Sequence, residues 1–202
     1  MLEIIKILLI FPIFFLLLLF PINTFQKGYS KVNFDIHSLN LIINLNILFL
    51  FSLFPISIEK YQIIFLLFYI FMFAYKIFKK DFNNLFYNMH IFLIFFASFL
   101  MIALSIASKL ELGWDAKYFN HTKALFFFEG LSISEIKNFQ DYNWHPHFGS
   151  YIWAFFWKLP FINIEYFGRL FYAFIFCFSL STIIFSCIKK NYLSFIIFFT
   201  TL

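Results

Sequence analysis

Asp115 stands where a carboxylate could perform chemistry. It lies within LGWDAKYFNHTK at 112–123, directly after the apolar run IFLIFFASFLMIALSIAS at 91–108. A carboxylate at a boundary between water and lipid can remove a proton from a hydroxyl or an amine. We expect Asp115 to be partly buried beside Trp114, which would tune it toward accepting a proton.

Two histidines and an arginine are the other candidates. His145 and His147 flank Pro146, so we expect both to face one pocket. A pair of histidines with no third ligand in reach is weak evidence for a metal site. Arg169 lies near one end of an apolar run, where a charge needs a partner, and Glu165 lies four residues earlier on the same helix face.

The composition shows that these residues must be positioned by membrane helices. The chain of 202 residues is 63% hydrophobic and only 12% charged, and its mean hydropathy is +0.87. A soluble protein of this size has too little core to hide so much apolar surface, so lipid must cover part of it. The net charge of +5 comes from lysines at the ends of apolar runs. That pattern fits membrane topology and does not indicate a nucleic-acid partner.

Apolar runs divide the chain into three parts. Each run has roughly the 20 residues that a helix needs to cross about 30 Å of hydrocarbon. The prediction is an all-α polytopic membrane protein with five to six transmembrane helices: N-terminal membrane helices over 1–90, a helix–outer loop–helix unit over 91–190, and the start of a truncated helix over 191–202. The predicted spans are 4–22, 39–58, 61–78, 91–108 and 165–187.

Two cysteines lie within the last of these spans. If the run is a helix, Cys177 and Cys187 are about 15 Å apart along it. That separation is too large for a disulfide bond. We expect both to be packing residues.

The polar stretch 109–147 should form a loop with short helices. SISE at 132–135 fits a capping box, with Ser132 as N-cap and Glu135 reaching back, and predicts a short helix over about 133–140. The segment 148–160 has about 13 apolar residues before Pro160, which is too few to span a membrane. Its tyrosine and tryptophans predict a juxtamembrane helix lying in the outer interface.

Charge placement orients the chain in an inner or plasma membrane. Lysines cluster at 76–80 and at 189–190, and the positive-inside rule puts both clusters in the cytoplasm. The loop 109–164 has five lysines and five acidic residues, and this neutral balance suits the outer side. The chain stops inside an apolar run, so we expect it to be the N-terminal part of a longer protein.

The motifs between 91 and 190 follow a familiar order. A membrane helix is followed at once by WDA at 114–116, then by HPHFGSYIWAFFWKL at 145–159, and then by Glu165 and Arg169-Leu170. This order resembles the C superfamily of membrane glycosyltransferases, which contains protein O-mannosyltransferases and aminoarabinose transferases. The acidic pair of that family is here Asp115-Ala116, and its single carboxylate suits a base better than a metal site.

The resemblance implies transfer of a sugar, with inversion, from a polyprenyl-phosphate carrier to an acceptor on the outer face of the membrane. Asp115 would be the general base, and the sugar ring would lie against Trp114 or Tyr118. The acceptor could be a glycan, a lipid or a protein, and a divalent metal ion stays possible without support. The cations available to neutralise the lipid phosphate are Lys123, His145, His147 and Arg169.

Two other classes of protein stay open. A transporter or channel subunit predicts ionisable residues inside the spans, and the middles of the five runs contain none. A non-catalytic membrane protein of polysaccharide assembly predicts that Asp115 is dispensable. Loss of sugar transfer on substitution of Asp115 would separate an enzyme from both.

Overall fold

Long apolar helices make up most of the structure. A computed structural model describes residues 2–21, 34–54, 56–79, 89–138, 146–160 and 162–188. Every predicted span within these ranges forms a helix, because a chain excluded from water must satisfy its backbone groups within itself. The five long helices described are α1 (Leu2–Leu19), α2 (Phe34–Ser52), α3 (Ile58–Lys79), α4 (Met89–Ser108) and α8 (Tyr166–Ile188). The run 191–202 and the lysines at 189–190 lie outside the described residues.

Shorter elements connect α4 to α8 at one end of the bundle. They are a π-helix (Ala116–His121), α5 (Thr122–Phe128), α6 (Ile133–Ile136), α7 (Phe148–Trp157) and the two-residue strands β1 (Lys158–Leu159) and β2 (Ile162–Asn163). The strands pair antiparallel, with Lys158 opposite Asn163 and Leu159 opposite Ile162. The described chain is therefore all-α apart from one minimal hairpin, which the sequence did not lead us to expect.

Three helical stretches in the described ranges are long and apolar enough to cross a membrane. They are Leu2–Leu19, Ile58–Tyr75 and Tyr166–Ile183, and Ile36–Ser52 and Phe92–Ser108 are shorter apolar helices. This architecture fits a helical membrane protein. The second predicted run ends early, at Ser52, three residues before the proline at position 55. Residues just before a proline disfavour the helical conformation, which explains why this 19-residue helix stops before the predicted end at 58.

Polar side chains of α2 complete the end of α1. Asn40 donates to the carbonyl of Leu18 over 2.8 Å, and Asn44 donates to the carbonyl of Leu17 over 2.9 Å. The last carbonyls of a helix have no partner within that helix, and they are costly to leave unpaired away from water. The two asparagines thus hold α1 and α2 together.

The starts of three long helices and the end of a fourth meet at the connecting segment. The Tyr166 hydroxyl at the start of α8 donates to Glu3 at the start of α1. Lys158 of β1, in the connecting segment, pairs with Glu59 at the start of α3 over 2.9 Å. Arg169 of α8 donates to the carbonyl of Leu110, just after α4, over 3.4 Å. Helices α1, α3 and α8 therefore begin at the end of the bundle where α4 finishes, which we call the loop end.

Helix α7 is packed inside the loop end. Residues 150–156 are all buried, and Phe156 meets Phe14 of α1 edge to face with ring centroids 5.0 Å apart. The helix ends at Trp157, three residues short of the predicted segment 148–160, and its predicted position on the surface is wrong for Tyr151 and Trp153, which are 3% and 5% exposed. A helix that is apolar on every face is most stable when neighbouring helices surround it.

Glycine at 168 allows this insertion. A Cβ at Gly168 would lie 2.3 Å from the carbonyl oxygen of Trp153 and 2.3 Å from its Cδ1 atom. No real Cβ comes so close, so the backbones of α7 and α8 can touch only without a side chain here. The glycine thus fixes the depth at which α7 sits.

Local signals set the ends of α5 and α6. Gly130 has φ +102°, a conformation that favours glycine, and Leu131 donates to the carbonyl of Phe126 over 3.0 Å, which closes α5. The predicted capping box is confirmed: the backbone N–H of Ser132 donates to Glu135 over 2.7 Å. The helix it starts is shorter than predicted, ending at Ile136, and 139–140 lie outside the described residues.

Candidate functional site

The residues around Asp115 form a widened helical turn. After α4 the chain is irregular over 109–113, then helical from Trp114, and it becomes a π-helix at Ala116–His121. The backbone N–H of Lys117 donates to the carbonyl of Gly113 over 2.9 Å, which closes the first turn. Single π-helical turns are rare and are often found at functional sites.

An exposed aromatic pair stands on this turn. Trp114 and Tyr118 are 71% and 48% exposed, and their rings stack with centroids 5.4 Å apart and planes 4° from parallel. They line an open groove of about 380 Å³. The other residues of the groove are Lys117, His121 and Thr122. The groove therefore combines a flat aromatic surface with a cation, an imidazole and a hydroxyl.

The far side of the groove is anchored to α7. The His121 ring stacks on Trp157 with centroids 5.4 Å apart, and it meets Trp153 edge to face at 5.6 Å. Since Trp153 is buried in the core, it holds His121 and the end of the π-helix in place. The sequence did not single out Lys117, His121 or Thr122. Their helical spacing from Trp114, at three, seven and eight residues, was the available signal.

Asp115 lies beside the groove without lining it. Its side chain is exposed and makes no capping hydrogen bond to the helix that it precedes. We expected partial burial beside Trp114, and the exposure corrects that expectation. Successive residues of a helix point about 100° apart, so Trp114 and Asp115 face different directions. An exposed carboxylate in this position can still meet a ligand that extends beyond the groove.

Lys123, which is buried, and His147, which is half-buried, lie apart from the groove. Lys123 is completely buried, and burial holds the pKa of its ammonium below the ordinary range. Burial also lowers the pKa of His147, and the positive charges of Lys123 and Lys137 lower it further. Neither ring nitrogen of His147 has a hydrogen-bond partner. Neither Lys123 nor His147 lines the aromatic groove, and His145 lies outside the described residues.

Arg169 is held by neighbouring residues. Its guanidinium pairs with Glu165 over 2.7 Å, as the four-residue spacing predicted, and Trp153 donates to the other oxygen of Glu165 over 2.9 Å. The weaker bond to Leu110 ties this group to the segment just before Trp114. Arg169 therefore links α7, α8 and the chain leading into the groove, and Glu165 already balances its charge.

The structure thus separates the residues proposed from the sequence. Trp114 and Tyr118 share one groove, Asp115 is exposed next to it, and Arg169 supports the chain that enters it. Lys123 and His147 lie apart, within the protein.

Across the described ranges, no group of three or more histidine, cysteine, aspartate or glutamate residues is placed to hold a metal ion. Neither a protein-family model, a curated protein nor a solved structure matches this chain.

Proposed function

We propose that the chain is a membrane glycosyltransferase that uses a polyprenyl-phosphate-linked sugar. The observation that carries the proposal is the exposed Trp114–Tyr118 stack with the exposed carboxylate of Asp115 beside it, at the point where α4 ends. Flat aromatic faces suit the apolar face of a sugar ring, and a carboxylate suits removal of a proton from the acceptor. The resemblance in motif order supports the same activity.

The proposed topology has five spans, with the loop 109–164 on the outer side. Two features support it. The long helices alternate in direction, so α1, α3 and α8 would all enter the membrane from the loop end. Lys76 and Lys79 lie in the last turn of α3, at the opposite end from the loop, and the positive-inside rule favours the cytoplasm for that end. In the sequence, the lysines at 189–190 come directly after α8, as this topology requires.

The proposed reaction is a direct displacement. The acceptor oxygen or nitrogen attacks the anomeric carbon, the new bond forms there, and the bond from that carbon to the phosphate oxygen breaks. The proton of the acceptor passes to the Asp115 carboxylate, and the polyprenyl phosphate leaves with the electron pair. The configuration of the sugar inverts, because attack occurs opposite the leaving group.

The geometry suggests a different phosphate contact from those proposed on sequence alone. Lys117 lines the groove, whereas Lys123 is buried and Arg169 is paired with Glu165. An ammonium at the groove can approach a phosphate without breaking an existing ion pair. We therefore assign the phosphate contact to Lys117, and we assign Arg169 a positioning role for the chain before Trp114.

The sharpest test compares two exposed carboxylates near the groove. Membranes with full-length protein would be supplied with a radiolabelled polyprenyl-phosphate sugar, and incorporation into membrane acceptors would be measured. Asp115→Asn should lower the rate on the order of 10²- to 10⁴-fold, the usual contribution of a general base. Glu111→Gln, four residues earlier and also exposed, should leave the rate unchanged. Equal rates in the two variants would refute the proposal.

No observation in the described residues favours a transporter instead. The buried polar groups within the spans include Asn40 and Asn44, which hydrogen-bond to the end of α1. They fulfil a packing role and do not mark a pathway for ions.

A further inference from the structure

A second groove lies on the other side of Trp157. Trp157 stacks against His121 of the aromatic groove on one side and contacts Phe128 on the other, with centroids 4.7 Å apart. Beyond Phe128 is a groove of about 330 Å³ between the start of α3 and the β-hairpin. Its lining includes Glu59, Gln62, Ile63, Lys158, Leu159 and Asn163. We call it the hairpin groove.

The charges in the hairpin groove are already balanced. The Lys158 ammonium pairs with Glu59 over 2.9 Å, donates to the carbonyl of Phe128 over 2.6 Å, and lies 4.8 Å from the centre of the Phe128 ring. An anionic ligand would have to compete with Glu59 for this cation. The groove therefore favours an uncharged ligand.

One buried acceptor in the wall of the groove has no partner. Gln62 is 1% exposed, and its Nε2 donates to the carbonyl of Phe155. That bond fixes the amide, and its Oε1 is buried with no hydrogen-bond partner. Buried polar atoms are nearly always hydrogen-bonded, so Oε1 calls for a donor. A hydroxyl of a ligand seated against Gln62 would supply one, after a small shift that uncovers the oxygen.

An apolar strip leads away from the hairpin groove along α3. Its members lie on one face of the helix and are all more than half exposed: Ile63, Leu67, Ile70, Phe71 and Phe78. From Ile63 to Phe78 the strip is about 22 Å long, which exceeds the depth of about 15 Å of one hydrocarbon leaflet. A lipid tail can therefore follow the strip while its headgroup occupies the groove.

We propose that the hairpin groove binds a membrane lipid with an uncharged, hydroxyl-rich headgroup, of which a glycolipid is the simplest example. The headgroup hydroxyls donate to Gln62 and contact Glu59 and Asn163, and the tail lies on Ile63 and the strip below it. This site is separate from the aromatic groove, and it does not depend on the activity proposed for Asp115.

Photolabelling of the full-length chain tests the site. The protein would be held in lauryldimethylamine oxide micelles, whose headgroup has no hydroxyl, with an octyl glucoside that carries a diazirine in its alkyl chain. Label should concentrate in 58–67 and 158–163. Excess octyl glucoside should remove it, and neither free glucose nor octyl phosphate at the same concentration should do so. Competition by glucose would show a site for free sugar, competition by octyl phosphate would show an anion site, and evenly spread label would show no site; each result would overturn the proposal.

Matched variants locate the contact. Ile63→Trp should fill the groove and lower labelling about ten-fold, whereas Ile64→Trp should not, since Ile64 is equally exposed but does not line the groove. Gln62→Met, of similar size, removes the acceptor and should lower labelling about five-fold. Thermal melts would confirm that each variant is folded. Equal labelling in Ile63→Trp and Ile64→Trp would contradict the proposal even if Gln62→Met fails to fold.

Discussion

Segment 114–122 and helix α7 are both rich in aromatic residues, but the first exposes its rings and the second buries them. In 114–122 the aromatics alternate with Asp115, Lys117, Asn120 and His121, so one face always meets water. In α7 the stretch YIWAFFW has no charged residue, and neighbouring helices surround it. The residues between the rings, more than the rings themselves, distinguish an exposed aromatic surface from a packing element.

The largest expected effect is the difference in stability loss between alanine variants of Trp153 and Trp114. Trp153→Ala should lower the free energy of unfolding by about 3–5 kcal/mol, because it empties a buried site and removes the donor to Glu165. Trp114→Ala should change it by less than about 0.5 kcal/mol, since the ring is exposed. Thermal melts in detergent would measure both. Similar losses in the two variants would mean that the contrast between the segments is wrong.

Gly168 tests how closely α7 is held. Gly168→Ala should destabilise the protein by about 1–3 kcal/mol, because the new Cβ meets the backbone of Trp153, which cannot rotate away. Gly113→Ala is the control, because nothing lies within 4 Å of a Cβ there. Melting curves of the two variants should differ clearly. If Gly168→Ala has the same melting temperature as the wild type, α7 is not packed against α8 as described.

A smaller effect should depend on pH through His147. Burial and two nearby lysines hold its pKa below the ordinary 6.5, so the folded state favours the neutral ring. The unfolded chain binds this proton more readily, so stability is complete above 6.5 and falls as the pH drops toward the folded pKa. His147→Gln should reduce the loss of stability between about pH 7.5 and about pH 5.5. If His147→Gln loses as much stability as the wild type over this pH range, a group other than His147 causes the loss.

The smallest effect concerns the capping box of α6. Hydrogen bonds from Ser132 hold the pKa of the Glu135 carboxyl below its ordinary 4.5. Its contribution is therefore present above 4.5 and disappears as the pH falls through the folded pKa. Glu135→Gln should lower the melting temperature slightly at neutral pH and flatten the acid dependence. Glu129→Gln, outside the box, should leave the melting temperature at neutral pH nearly unchanged. Identical acid curves for the wild type and Glu135→Gln would argue against the box.

Much of the fold could be predicted from the sequence. The apolar runs predicted the five long helices, and SISE predicted the cap of α6. The four-residue spacing of Glu165 and Arg169 predicted their ion pair. Each of these depends on neighbours within one turn or on hydrophobicity alone. The short length of α7 followed in the same way, from the distance to Pro160.

The positions of α7 and Lys123 could not be predicted in this way. A tryptophan at a membrane interface and one in a core have the same sequence context, and only the contact at Gly168 distinguishes them here. The π-helix changes which face of the helix the residues after Ala116 occupy, and no residue pattern in the sequence predicts it. Lys123 lies inside the protein, although its place in the motif suggested a surface ligand.

The central claim is that Asp115 acts as a general base on an exposed surface. The direct measurement is the rate of sugar transfer by Asp115→Ala with and without added sodium formate, against sodium chloride at the same ionic strength. Because the site of Asp115 is open to water, formate can enter and take the proton. We predict a nearly inactive variant whose transfer is partly restored by formate alone. A variant that transfers sugar at the wild-type rate would contradict it.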